Sequence, residues 1–396
     1  MNIWFLNHYA KPPSIPGGTR HYDFSVELNK RGHDCLIIAS SFHSQNRKET
    51  VSYNDKEICK FEKINDVPFY WVKTTPYKKN NIKRFLNMLS YYFRAKKIAD
   101  EIKAKPDFVV GSSVHLFAVL AAYKIAKKKK ATFIMEVRDL WPKTLIDFGM
   151  SKIHPMIILF GMLERFLYKK AKKIITLLPG MKKYLDELGI NNKKVVWISN
   201  GVNILREPEY YEANNLLSVM HCGSLTKGKQ LEKLFDAAKM LEKENVKVQI
   251  LGDGPEKEKL LRYVKDNRIN NIDFLGSVPK EKVIDYLLKA DILFTSAMSV
   301  DNNRFGISPN KIFDYLSAGK PVIFARESIN NPVEEAQAGV TIPPGDPYEI
   351  VGAIRYLKSL PKKELIKMGK RGYNYVMNNY SIKKLVDIFE NKILKE

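Results

Sequence analysis

The 396-residue chain carries 66 Lys and Arg against 43 Asp and Glu, a net charge of +23, and is 45% apolar. It is long enough for two domains with separate cores, and its apolar content is ordinary for a globular protein. No run approaches the roughly 18 apolar residues of a membrane span, and Cys35, Cys59 and Cys222 are too scattered for a disulfide framework or a metal site.

The charge is lopsided: residues 1–205 hold 36 basic and 17 acidic side chains, the remainder 30 and 26. A basic half points to a polyanionic partner, either nucleic acid or an anionic membrane. The opening MNIWFLNHYAK has neither a basic leader nor a small-residue cleavage site, so it reads as a first strand, and the reducing-compartment cysteine usage places the protein in the cytoplasm.

Short apolar runs then alternate with helical patterns. Strands are expected at 3–6, 35–39, 108–110, 132–137 and 174–177, and helices at 20–31, 116–127 and about 157–171. Between the first strand and first helix, Pro16-Gly17-Gly18 sits where an α/β domain turns backbone N–H groups toward a phosphate, although such a turn alone is weak evidence. Residues 81–104 space Ile82, Phe85, Leu86, Leu89, Tyr92 and Phe93 helically among Lys and Arg; 153–173 runs from an apolar block into a basic cluster. Aromatic-basic helices of this kind can lie in a headgroup layer. His115 follows the strand at 108–110, and EVRDLWP brings Glu136, Arg138 and Asp139 to the end of the next one. This trio is either a salt-bridge knot or part of a site; its cleft-facing edge favours the site.

The polar segment REPEYYEANN (206–215) reads as a linker. After it the alternation restarts, with strands at 217–221, 246–251, 272–275, 292–294 and 322–325, and helices at 230–242, 257–266, 280–289, from 309, and 382–395. Two parallel-sheet domains in tandem leave a cleft at the strands' C-terminal ends. GSLTKGK (223–229) lacks the Ser or Thr of a phosphate loop at Gln230, which excludes a Walker-type NTPase, yet Lys227 or Lys229 can hold phosphate. Gly252-Asp253-Gly254 has Lys257 where a dinucleotide fingerprint needs its third Gly, which argues against NAD. In SPNKIFDYLSAGKPVI, Ser308-Pro309 starts a helix and Gly319 ends it. Lys311 is then misplaced, because the first turn favours negative charge.

In order, PGGTRHYDF, SSVH, EVRDLWP, ISNGVN, HCGSL, VQILGDGP, IDFLGSVPKEKV and SPNKIFDYLSAGKPVI resemble family 4 of the retaining nucleotide-sugar glycosyltransferases, nearest the bacterial members that build surface polysaccharides on lipid carriers. The resemblance implies an α/β fold of the GT-B type: two Rossmann-like domains (1–205 and 206–380) facing across a cleft, with a C-terminal helix (381–396) crossing back. It implies a donor, expected to be a UDP-sugar, whose diphosphate sits at the N-terminus of the 309 helix, so that Lys311 meets an anion. Gly17, Gly18, Ser224, Lys227, Gly252, Val278, Gly306, Ile307, Ser308, Asn310 and Asp314 complete the donor set, with Asp314 on the ribose. His115 would contact the donor sugar, Lys311 and Asp139 would serve the chemistry, and Glu136, Arg138 and Asp139 would hold a polyprenyl-diphosphate-linked acceptor at the inner face of the cytoplasmic membrane. No metal or other cofactor is implied.

Two positions depart from the family. Gly306 replaces the first of its two acidic residues, and Ser224 an Arg. Backbone N–H groups at Gly306 and Ile307 are the expected substitutes for the missing acid, and the sugar is expected to be N-acetylated or deoxygenated. A sugar-nucleotide epimerase of the same architecture, a non-catalytic carbohydrate-binding protein and a nucleic-acid-binding protein remain alternatives; against the last stands the absence of a recognition motif.

Overall fold

The computed structural model describes residues 1–43, 47–79, 82–203, 206–208 and 216–395. The expected linker lies for the most part outside them, at 209–215. Among the described residues, sixteen strands form two large sheets and one small pair. The first sheet takes β1 (Asn2–Leu6), β2 (Asp34–Ser40), β5 (Cys59–Ile64), β6 (Val67–Val72), β7 (Phe108–Ser112), β8 (Thr132–Val137), β9 (Lys173–Thr176) and β10 (Val195–Trp197), in the order β10-β9-β8-β7-β1-β2-β6-β5. All its neighbours are parallel except the edge pair β5–β6. Between β2 and β5, β3 (Phe42–His43) and β4 (Lys48–Glu49) pair antiparallel with each other.

The second sheet is wholly parallel: β11 (Leu217–Cys222), β12 (Val246–Leu251), β13 (Ile272–Gly276), β14 (Ile292–Ser296), β15 (Val322–Ala325) and β16 (Gly339–Ile342), ordered β13-β12-β11-β14-β15-β16. Each sheet builds outward from a central strand and then reverses, at β1/β7 in the first and β11/β14 in the second. Such switch points open a crevice beyond the strand ends, where ligands of parallel sheets bind.

The pleat explains the layers. Along β1, Trp4 and Leu6 enter one apolar cluster while Ile3 and Phe5 enter the cluster on the opposite face. The last helix, Ile382–Phe389, sends Ile382, Leu385, Val386 and Phe389 into that opposite cluster, at one-face helical spacing, so the chain's end does return to the first sheet. Arg31 pins it there through Asp387 (2.7 Å) and Glu390 (2.6 Å). Some local expectations change. The helix expected over 280–289 divides into a 3-10 turn, Lys280–Lys282, and a short helix, Val283–Leu287. Gln230 precedes its helix in a left-handed conformation (φ 49°).

Candidate active site in the interdomain cleft

On the first-domain wall, the charges of EVRDLWP separate. Glu136, only 3% exposed, receives Arg20 Nε (2.7 Å), His21 Nε2 (2.7 Å) and Ser112 Oγ (2.7 Å). Burial alone would raise its pKa. His21 and Arg20 outweigh burial and hold it well below the usual carboxylate range. Burial lowers the pKa of His21 against the pull of Glu136; Asn7 Nδ2 can only donate, so Nδ1 accepts from it (3.0 Å) and Nε2 donates to Glu136. With its oxygens committed, Glu136 belongs to a buried knot and leaves the acceptor set. Arg20 also donates to the carbonyls of Ile198 and Ser199. Arg138 and Asp139, by contrast, turn into the cleft. Asp139 opens onto its cavity yet is ringed by protein; burial raises its pKa and Arg138 opposes that.

His115 is corrected too. It is 1% exposed, its Nδ1 caps the following helix at Ala118 N (3.2 Å), and its Nε2 faces His8 Nδ1 (2.8 Å). Burial and Arg84 lower its pKa to about 3. Both nitrogens are engaged, so this neutral ring holds the helix beside the β1/β7 switch point and does not line the cavity.

On the second-domain wall, Lys311 lies on the first turn of the helix Asn310–Ser317, its Nζ 3.4 Å from His221 Nε2, with His221 Nδ1 3.2 Å from the Phe294 carbonyl. His221 is neutral, lowered by burial and by Lys311, so it donates to Phe294 and accepts from Lys311. Lys311 runs along Gly223, where any Cβ would come within 2.6 Å of Nζ. Burial brings its pKa down to about 8. Lys229 is held well below the ordinary lysine value by burial and then by Lys311 and Arg326, while Arg326 falls to about 10 through burial. No carboxylate lies within 4 Å of these three among the described residues. Three desolvated cations at one strand edge form an anion site. Lys227, the expected phosphate ligand, is exposed, whereas Lys229 is half-buried beside Lys311 and Arg326. His221 and Arg326 were not singled out from sequence; the histidine of HCGSL and an arginine directly after an apolar strand were the available signals.

Other expected donor residues divide. Gly18 abuts Asn310 across the cleft, where a Cβ would meet Asn310 Nδ2 at 2.4 Å. Asp314 is held by Lys280 (2.5 Å). Ser224 and Val278 are half-buried. Gly252 gives its N–H to Gly276 O (2.6 Å), which removes it as a donor to ligand. Ser308 does not cap: the helix N-cap is Pro309, and Ser308 Oγ instead meets Asn200 N (2.7 Å) and Ser199 Oγ (2.8 Å) across the cleft.

A cavity of about 370 Å³ lies between the walls, lined by Arg138, Asp139, Asn200, Gly306–Asn310 and Arg326, with Phe148 at its side. The acceptor and donor loops named from sequence thus meet in one space. The expected substitutes for the missing acid are unavailable, because Gly306 N donates to Asn303 O (3.0 Å) and Ile307 N to Asn330 Oδ1 (2.8 Å). Gly306 itself has φ 95°, and a Cβ there would lie 2.5 Å from Pro179 Cδ. Gly306→Glu is therefore expected to lower stability by about 1–3 kcal/mol and to reduce turnover. Denaturant melts and initial rates check this; a faster, equally stable variant would mean that the site lacks only a carboxylate.

Family models fall on both halves: "Glycosyltransferase Family 4" on residues 17–206 and "Glycosyl transferases group 1" on residues 209–375. An uncharacterised glycosyltransferase of Methanocaldococcus jannaschii is 24% identical, over 97% of this chain and 95% of its own. A putative colanic acid biosynthesis glycosyl transferase of Escherichia coli is 19% identical, over 89% and 91%. Anabaena HepE, solved with UDP and glucose, superposes with a TM-score of 0.70 at 14% identity, covering 100% of this chain and 99% of its own.

Proposed function

We propose, from the premise that this chain is a GT-B glycosyltransferase of the family 4 type, that it moves a sugar from a UDP-sugar to a polyprenyl-diphosphate-linked acceptor, retaining the anomeric configuration. The observation that carries this reading is the cavity, which joins Arg138 and Asp139 of one wall to the SPNK loop of the other, beside the Lys229–Lys311–Arg326 cluster. As the glycosidic bond breaks, negative charge grows on the departing diphosphate. Lys311, Lys229 and the N-terminus of the helix Asn310–Ser317 stabilise that charge from fixed positions, the kind of preorganisation that contributes most in such sites. Asp139 orients the acceptor hydroxyl and accepts its proton; burial, opposed by Arg138, raises its pKa and so its basicity. These cations supply the charge a divalent ion would otherwise bring, so turnover is expected to survive EDTA.

Release of UDP from a UDP-sugar panel, with and without polyprenyl-diphosphate-linked saccharides, tests the reading. Acceptor-dependent release supports it. Donor turnover without acceptor would favour the epimerase alternative.

An exposed face of the first domain supports a membrane-held acceptor. On the helix Pro155–Lys170, Ile158, Leu159, Met162 and Phe166 form an exposed apolar stripe at helical spacing, with Arg165, Lys169 and Lys170 exposed beside it. The helix Ile82–Glu101 exposes Ile82, Leu86 and Phe93. Phe117 packs between the two helices, against Phe85 and Phe160, so both stripes flank one helix. Phe148, 74% exposed, adds an apolar side chain at the rim of the cavity. Among the described residues no helix is long and apolar enough to cross a membrane, and we read the face as lying in the headgroup layer of the inner membrane surface. Leu159→Glu with Met162→Glu is expected to reduce anionic-vesicle binding at least tenfold and leave thermal stability nearly unchanged, because both residues are exposed. Co-sedimentation measures it. Binding by the parent protein that ignores salt, or the absence of binding at low salt, would refute this reading.

A further inference from the structure

The wall beside Gly306 has a charge opposite to the one the family resemblance implies. An acidic residue at that position accepts hydrogen bonds from sugar hydroxyls. Here the position has no side chain, its own N–H is used within the loop, and the neighbouring N–H of Ile307 is held by Asn330. On the cavity wall this turn is tied to Asn303, whose backbone oxygen receives Gly306 N, and through Asn303 to Arg326, whose Nη2 donates to Asn303 Oδ1 (2.9 Å). Arg326 Nε and Asn303 Nδ2 are buried and have no partner. Arg326 has no carboxylate within 4 Å among the described residues, and burial without one depresses its pKa to about 10.

A buried guanidinium without a counter-ion is costly. The two phosphates of a nucleotide donor are matched by Lys229 and Lys311, which leaves Arg326 as surplus positive charge on the sugar side. A hydroxyl can satisfy a donor but not a charge. A carboxylate satisfies both, and guanidinium–carboxylate pairing is among the strongest polar contacts available.

We infer that the donor is a nucleotide-linked hexuronate, with its carboxylate read by Arg326 and Asn303. The inference rests on the donor site proposed above and narrows the sugar from the N-acetylated or deoxygenated hexose expected from sequence.

The test is calorimetric titration of the full chain with UDP, UDP-glucose, UDP-N-acetylglucosamine, UDP-glucuronate and UDP-galacturonate. One uronate is expected to bind at least tenfold more tightly than the neutral sugars. Arg326→Gln should abolish that preference, weakening the uronate by a clearly larger factor than it weakens UDP; Arg326→Lys, which keeps the charge, should retain part of it. Thermal melts of both variants confirm folding. If UDP binds but neither uronate exceeds UDP-glucose or UDP-N-acetylglucosamine, the inference falls and the donor site stands. If Arg326→Gln weakens UDP as much as the uronate, Arg326 is a phosphate ligand and the inference also falls. If UDP and every UDP-sugar fail to bind, the donor site itself is wrong and takes the inference with it.

Discussion

Lys311→Ala is expected to lower kcat/KM by about 10²- to 10³-fold, the effect typical of removing one preorganised donor from a developing negative charge. The side chain is buried against Gly223 and His221, so no water replaces it in the same geometry. Its pKa of about 8 adds a pH signature. The anion selects the protonated amine, so UDP affinity should be flat below about pH 8 and fall above it. Above that pH, binding should therefore carry a proton onto Lys311. Titrations in buffers of different ionisation enthalpy measure that uptake. Lys311→Met should remove the break near pH 8. Turnover within twofold of the parent protein would dissociate the cation cluster from the diphosphate.

Glu136→Ala is expected to destabilise the fold by about 3–5 kcal/mol, because it strands the buried Arg20 guanidinium. The loss should spread to the cleft. Arg20 holds the carbonyls of Ile198 and Ser199, and the next residue, Asn200, grips Ser308 across the domains. Urea melts should shift strongly, and domain coupling should weaken with them. The native pKa of Glu136 is depressed, so its stabilisation is present above the ordinary carboxylate pKa of about 4.3 and is lost as the pH falls toward the native value. A variant of normal stability whose only defect is a raised acceptor KM would return Glu136 to the acceptor set.

These two residues show how far sequence reading extends. Lys311 was found because it violates a local rule: a cation in a helix's first turn needs an anion. Glu136 looked equally functional, being a charge at a strand end, but local rules do not reveal whether Arg20 and His21, 116 and 115 residues away, will close on it. Likewise, Lys227 and Lys229 are equivalent in a string of letters; the 3-10 turn Lys227–Lys229 exposes the first and half-buries the second. His115 was placed at the correct switch point, and only packing revealed that His8 and a helix cap use both its nitrogens.

Apart from the return of the C-terminal helix, which only the family resemblance implied, the sequence alone determined the alternation of apolar runs and amphipathic helices, and with it two parallel sheets and a cleft at their strand ends. Those features follow from periodicity, which is local and survives without knowledge of neighbours. Tertiary structure decided the electrostatics: which charges pair, which remain unpaired beside the cavity, and why position 306 excludes a side chain. Desolvation and ion pairing depend on distances between residues far apart in the chain, and only the folded packing sets those distances.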